Sequence, residues 1–375
     1  MKIIEPSELN AIFNALRKNG YKIIGPSIQE GVIVYEEINS TDDLPTGWTD
    51  IQDGGKYRLE RRNDNAYFGY VVGPQSWKKF LNPPIQKLWE AKFADKNLTI
   101  IPEKIEDTKY AFIGVRACEL NAIQIQDKIF TKGEYVNPAY KKRRDGIFIL
   151  AVNCIVTGGT CFCVSMGTGP KASHGLDLAL TEIITNNNHY FLVETGSEKG
   201  IQILSEISSQ DAKENEIESG NELIQNAAAK MGRRMNTSNI KELLLNNFEH
   251  PEWENVARRC LSCANCTMVC PTCFCTTVED TTDLSGEIAE RWQKWDSCFT
   301  MDFSYIHGGS IRSSTKSRYR QWMTHKLASW YDQFDSSGCV GCGRCITWCP
   351  VGIDITAEVE TIRETEHFQT ILKEE

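Results

Sequence analysis

The sequence has only six histidines, and they are scattered, so a histidine-built metal constellation is not expected. No apolar run approaches membrane-spanning length; Ile147 to Val152 is short and reads as a buried strand. The opening Met1-Lys2-Ile3-Ile4-Glu5-Pro6 has no apolar signal core before its first acid, so secretion is not expected. Positive charge is in the minority, 41 Lys and Arg against 50 Asp and Glu. The resulting net charge of −9 argues against a nucleic-acid surface. With 41% hydrophobic and 24% charged residues, the composition is that of an ordinary globular protein. Its 375 residues suffice for about two domains with separate cores.

Cysteine is what the chain has in quantity: fifteen in all. Without a secretory signal, metal or redox chemistry is a better reading of them than disulfides. Eight fall in two copies of one pattern, Cys260-x2-Cys263-x2-Cys266-x3-Cys270-Pro271 and Cys339-x2-Cys342-x2-Cys345-x3-Cys349-Pro350. Bacterial ferredoxins use this spacing to hold a pair of [4Fe-4S] clusters. Three cysteines at two-residue intervals wrap one cage, and the fourth, ahead of proline, reaches to the cage of the other run. One ligand set is then Cys260, Cys263, Cys266 and Cys349, and the other is Cys339, Cys342, Cys345 and Cys270. Structural zinc also uses Cys-x2-Cys, but takes two such pairs per ion rather than a triplet and a lone cysteine.

Seven cysteines remain. Cys118 follows the apolar run Tyr110 to Val115, and Cys154 follows Ile147 to Asn153. If those runs are parallel strands, both cysteines emerge at one carboxyl edge of a sheet. The glycine-containing loop Gly158-Gly159 brings Cys161 and Cys163 to the same edge. Four thiolates there would serve a third cluster; buried inert thiols or a redox-active dithiol are the alternatives. Cys273, Cys275 and Cys298 are one short of a cluster set, unless a histidine such as His307 or a water completes it. Packing around the ferredoxin module is their other reading.

Along the chain, residues 1–204 alternate strand and helix signals and read as an α/β domain carrying the third cysteine set. Helices are expected over Glu8 to Lys18, Cys118 to Ile129 and Leu176 to Ile184. Strands are expected over Tyr21 to Gly25 and Gly31 to Glu36. Residues 205–239 read as a polar helical linker. Residues 240–375 read as a mostly helical two-cluster ferredoxin-type domain, with Trp292, Trp295, Trp322 and Trp330 on helices around the clusters. Gly167-x-Gly169-x-x-Ala172 matches a loosened dinucleotide fingerprint but follows a cysteine loop rather than a strand. Arg312, Lys316, Arg318, Arg320 and Lys326 form an expected basic face; such faces are mostly solvated, but this one neighbours the clusters, where it would offset their charge and raise their potentials or dock an acidic partner.

The chain resembles the β subunit of cytoplasmic sulfhydrogenase, the NAD(P)-linked nickel-iron hydrogenase, and is similar to the A subunit of anaerobic sulfite reductase. The resemblance rests on Gly114-Val115-Arg116-Ala117-Cys118-Glu119, Cys161-Phe162-Cys163-Val164-Ser165-Met166-Gly167, Cys270-Pro271-Thr272-Cys273-Phe274-Cys275, Trp295-Asp296-Ser297-Cys298, His307-Gly308-Gly309 and Cys339-Val340-Gly341-Cys342-Gly343-Arg344-Cys345. It implies a cytoplasmic electron-transfer subunit without a catalytic centre of its own. The implied partners are a flavin- and NAD(P)-binding subunit and the small and large NiFe hydrogenase subunits, or else a sulfite reductase subunit. No membrane and no nucleic acid are implied. Gly167 to Pro170 and Thr281 to Trp295 look more like the hydrogenase type. A self-contained disulfide or polysulfide reductase using Cys161/Cys163 or Cys273/Cys275 is the reading from a different class.

Overall fold

Four parallel strands organise the amino-terminal half: Tyr21–Gln29, Lys109–Val115, Phe148–Val152 and Leu178–Ile184. The structure, a computed structural model, describes residues 1–94, 97–185 and 188–374, with side chains up to residue 365. Antiparallel strands extend the sheet on both sides: Val32–Glu37 at one edge, and His189–Thr195, Lys2–Ile4 and Gln210–Asp211 at the other. Both faces are covered. Helix Glu8–Lys18 buries Leu9, Ile12, Phe13 and Leu16 against Ile23, Ile113, Leu150 and Leu180. Helix Ala117–Thr131 lays Leu120 and Ile123 on Ile24, Phe112, Ile149 and Ala179. Burial on two faces explains why Phe148–Val152 reads as an unbroken apolar run.

Leu176 to Ile184, expected as a helix, is a strand over Leu178–Ile184. Its Leu, Ala and Glu favour a helix locally, but parallel pairing with Phe148–Val152 and burial on both sides decide the matter. The expected linker does contain a helix, Glu214–Ala229, yet it is no bridge. It packs on the sheet, and a Cβ on Gly220 would come within 2.5 Å of Leu192 Cδ1.

The carboxyl-terminal half is mixed rather than mostly helical. Helices Ile240–Asn246, Glu252–Arg259, Thr315–Thr324, Trp330–Phe334 and Ile355–Glu374 surround a core of Trp253, Tyr319, Trp322, Met323 and Val359. Between the two cysteine runs, however, Thr276–Thr282 and Ile288–Trp295 form a hairpin, so Trp292 and Trp295 lie on a strand. The β-branched run Thr276-Thr277-Val278 and the turn at Ser285-Gly286, with Gly286 at φ +72°, are hairpin signals that outweigh the tryptophan spacing. This hairpin pairs with a second one, Ile85–Ala94 and Asn97–Pro102, from the first 204 residues. One four-stranded sheet is thus built from both halves of the chain.

Candidate metal centres

The two ferredoxin-type runs share one backbone path. In the first, Ser262 and Ala264 are left-handed, at φ +53° and +65°; in the second, Gly341 and Gly343 are, at +64° and +77°. The positions correspond one to one, at the second and fourth residues after the leading cysteine. The left-handed turns let the chain curl so that its amides point inward. Ser262 N donates to Cys260 Sγ at 3.4 Å, and Gly341 N donates to Cys339 Sγ at 3.4 Å. Ile353 N donates to Cys349 Sγ at 3.3 Å.

The cysteine ahead of each proline stands with the opposite run. Cys260, Cys263, Cys266 and Cys349 line one apolar cavity, partly open to solvent, with Cys345 of the other run also on its wall. Burial pushes the Cys266 thiol well up, and the neighbouring Cys298, Cys260, Cys349 and Cys263 add to it. Burial also pushes Cys339 up, to about 12, against the charge of Lys326; Cys342 and Cys270 act in the same direction as burial. Cys345 is raised well above its usual range by burial and by Cys339, Cys342 and Cys270. All fifteen cysteines are free thiols.

Cys118, Cys154, Cys161 and Cys163 also come together, at the carboxyl edge of the parallel strands. All four are buried. Cys118 lies in the first turn of helix Ala117–Thr131, directly after strand Lys109–Val115, and Cys154 follows Phe148–Val152. Burial raises Cys161 to about 12, with Cys154 and Cys342 among its charged neighbours. At Cys154 the buried Arg116 guanidinium, 4.0 Å from the sulfur, works against the burial. Arg116 is held by the carbonyls of Phe68 and Tyr70, at 3.0 and 2.7 Å.

This third group packs directly on the second run. Phe162 N donates to Gly341 O at 2.8 Å, and Thr168 Oγ1 donates to Val340 O at 2.7 Å. Thr160 and Thr347 share a hydroxyl hydrogen bond of 2.7 Å. A Cβ on Gly341 would lie 2.6 Å from the backbone of Phe162 and Cys163, and one on Gly343 would lie 2.5 Å from Thr160 O. Glycine is required at both positions for this close approach. Arg233, in the expected linker, clamps the same region: it donates to Gly159 O, Asp53 and Asp354 at 2.8, 2.6 and 2.6 Å.

The last three cysteines are near one another and near the second set. Cys273 hydrogen-bonds Cys270, the main cause holding Cys270 well below its ordinary range; Lys326 and Thr272 contribute. Cys298 N donates to Cys275, and burial pushes Cys298 up to about 12. His307 is exposed beside the turn joining strands Tyr305–Ile306 and Gly309–Ser310, and among the described residues it hydrogen-bonds none of these thiols. Among the described residues, no three His, Cys, Asp or Glu side chains converge as around a single ion. A cage of four irons, each taking one sulfur, does not require such convergence. Four thiols with inward amides and apolar walls fit that group.

One expectation is corrected and one discounted motif is settled. The basic face is not one surface, because Arg318 and Lys326 are buried. Lys326 was expected beside the clusters but not buried; its spacing of four and eight residues from buried Trp322 and Arg318 was the signal for an inward face. Gly167-x-Gly169-x-x-Ala172 leads into strand Leu178–Ile184 and opens no helix, so the phosphate-binding geometry of a dinucleotide site is not formed there.

A family model for a 4Fe-4S dicluster domain matches residues 259–353, which include both runs. Sulfhydrogenase 2 subunit beta of Pyrococcus furiosus is 29% identical over 355 residues, 94% of this chain and 95% of that protein. No solved structure matches. With a dicluster domain over both cysteine runs and similarity along nearly its whole length, this iron–sulfur chain is similar to the sulfhydrogenase β subunit.

Proposed function

We propose that the chain is the electron-transfer subunit of an NAD(P)-linked NiFe hydrogenase of the sulfhydrogenase type, acting in the cytoplasm. It would relay electrons between a flavin- and NAD(P)-binding subunit and the hydrogenase subunits, with no substrate chemistry of its own. Cys260, Cys263, Cys266 and Cys349 would hold one [4Fe-4S] cluster; Cys339, Cys342, Cys345 and Cys270 a second; and Cys118, Cys154, Cys161 and Cys163 a third. Bound there, such clusters supply one-electron transfer.

The observation that carries this reading is the order of the three thiol groups. The Cys118 group adjoins Cys342, Cys345 adjoins Cys266, and Cys263 is the one cysteine classed as exposed. The protein's part is to hold the sets in line, keep water from the inner two and leave one at the surface. Cys161 and Cys163 are buried, which denies them the access that nucleophilic thiol chemistry wants. The full-length likeness to a sulfhydrogenase subunit favours a hydrogenase over a sulfite-reducing partner.

The test is iron and labile sulfide per chain after anaerobic purification, read together with electron paramagnetic resonance. About twelve irons support three clusters, and about eight would remove the Cys118 group from the path. Iron-free, normally folded protein would end the proposal. Co-purification with a nickel-iron large subunit, rather than a sirohaem subunit, tests the choice of partner.

A further inference from the structure

The two ferredoxin-type runs repeat each other in spacing and backbone, yet their charge surroundings differ. Lys326 lies in the π-turn His325–Ser329 and is 4% exposed. Its Nζ is 3.4 Å from Cys270 Sγ, 3.6 Å from Cys273 Sγ, 3.1 Å from Thr272 Oγ1 and 3.1 Å from Gly338 O. The Lys326 carbonyl in turn accepts from Gly338 N at 2.7 Å, fixing the residue before Cys339. Lys78 reaches the same segment from the amino-terminal half. It is 5% exposed and donates to the carbonyls of Cys270 and Cys273, each at 3.1 Å, with Trp295 at 3.8 Å.

Among the described residues, no carboxylate pairs with either lysine. A buried ammonium without an opposite charge is strongly disfavoured, so structures retain one where an anion faces it. Here the facing groups that become anionic are sulfurs. Arg344 is different, because Glu119 neutralises it at 2.5 Å. Around the first run, among the described residues, no lysine or arginine hydrogen-bonds Cys260, Cys263, Cys266 or Cys349.

We propose that Lys326 is the counter-charge of the cluster held by Cys270, Cys339, Cys342 and Cys345, and raises its reduction potential above that of the first-run cluster. The proposal rests on the cluster assignment given above. A fixed positive charge and a donated hydrogen bond at a ligating sulfur both favour the reduced, more negative state. Of the two ferredoxin-type clusters, the lysine makes this one the place where an electron rests. Lys326 is a positioning and charge-setting residue that transfers no electron itself.

The experiment is potentiometric titration followed by electron paramagnetic resonance on the anaerobically purified full chain, with iron counted in every sample. The second-run cluster's signal is assigned by its change in Cys342→Ser. In iron-replete Lys326→Met that signal is expected to shift to more negative potential, while Lys326→Arg stays near wild type and the other signals stay in place. An unchanged or more positive potential in iron-replete Lys326→Met overturns the proposal. If Lys326→Met is short of iron, Lys326→Gln, which keeps a neutral donor, decides by the same two outcomes. Lack of iron in the wild-type protein sinks the cluster assignment instead, so the two failures are told apart.

Discussion

Glu119 and Arg344 form an ion pair of 2.5 Å across the join between the two halves of the chain, with side-chain exposures of 1% and 0%. Tyr35 and Trp77 also donate to Glu119, at 2.9 and 3.1 Å, and Arg344 donates to the carbonyls of Gly73 and Gln75 at 2.9 and 2.8 Å. Glu119 follows Cys118, and Arg344 stands between Cys342 and Cys345, so the pair fixes one cysteine group against another.

Removing one partner strands the other charge in the interior. Glu119→Gln is expected to cost about 3–5 kcal/mol in anaerobic chemical denaturation. The double variant Glu119→Leu/Arg344→Met is expected to recover part of that loss. A single-variant cost under about 1 kcal/mol contradicts the burial argument.

Cys154→Ser is expected to lower the iron content by about four per chain while the dicluster signals persist. An unchanged iron count would mean that the Cys118 group holds no cluster and is thiol packing.

Gly341→Ala places a methyl 2.6 Å from the backbone of Phe162 and Cys163 at a left-handed residue. The conformation alone costs about 1–2 kcal/mol, and the backbone contact forces the second run away from the Cys161 loop. Electron transfer through the chain is expected to slow even where iron content is retained, as stopped-flow reduction of the separate signals can measure.

Glu358, packed against Glu252 and Arg259, is pushed up to about 7, mainly by burial, with Glu252 adding and Arg259 opposing. An acid with a raised folded-state pKa binds its proton more tightly when folded. Its contribution is full below the ordinary 4.5 and is lost as pH rises through 7. Thermal stability is therefore expected to fall between about pH 5 and about pH 8, and Glu358→Gln is expected to flatten that slope. A slope unchanged in the variant assigns the pH dependence elsewhere.

The cysteine spacing made the dicluster module legible at once, since a repeated triplet plus a prolyl cysteine serves little else. The edge position of Cys118 and Cys154 was also legible, because two apolar runs ending in cysteine imply parallel strands that end together. What the sequence hid was set by partners far along the chain. Leu178–Ile184 carries helix-forming residues but pairs with Phe148–Val152. Trp292 and Trp295 follow a helix-like spacing, yet their strand is held by residues 85 to 92. Lys326 reads from the sequence as part of a basic face beside the clusters; its burial depends on Thr272 and Gly338, which are distant in sequence.

The shared four-stranded sheet bears on synthesis as well as on architecture. Strand Ile85–Ala94 leaves the ribosome long before its partner Ile288–Trp295; Lys87 and Glu290, which meet across the pair, are 203 positions apart. Until the later hairpin emerges, the earlier one presents an unpaired edge, the kind of surface that invites chaperones or aggregation. The proposed crossed sets, which need Cys339 to Cys349, likewise cannot close until translation is almost over. Assembly of the proposed dicluster centre is thereby a late event, whereas the Cys118 set has all its thiols once Cys163 is made.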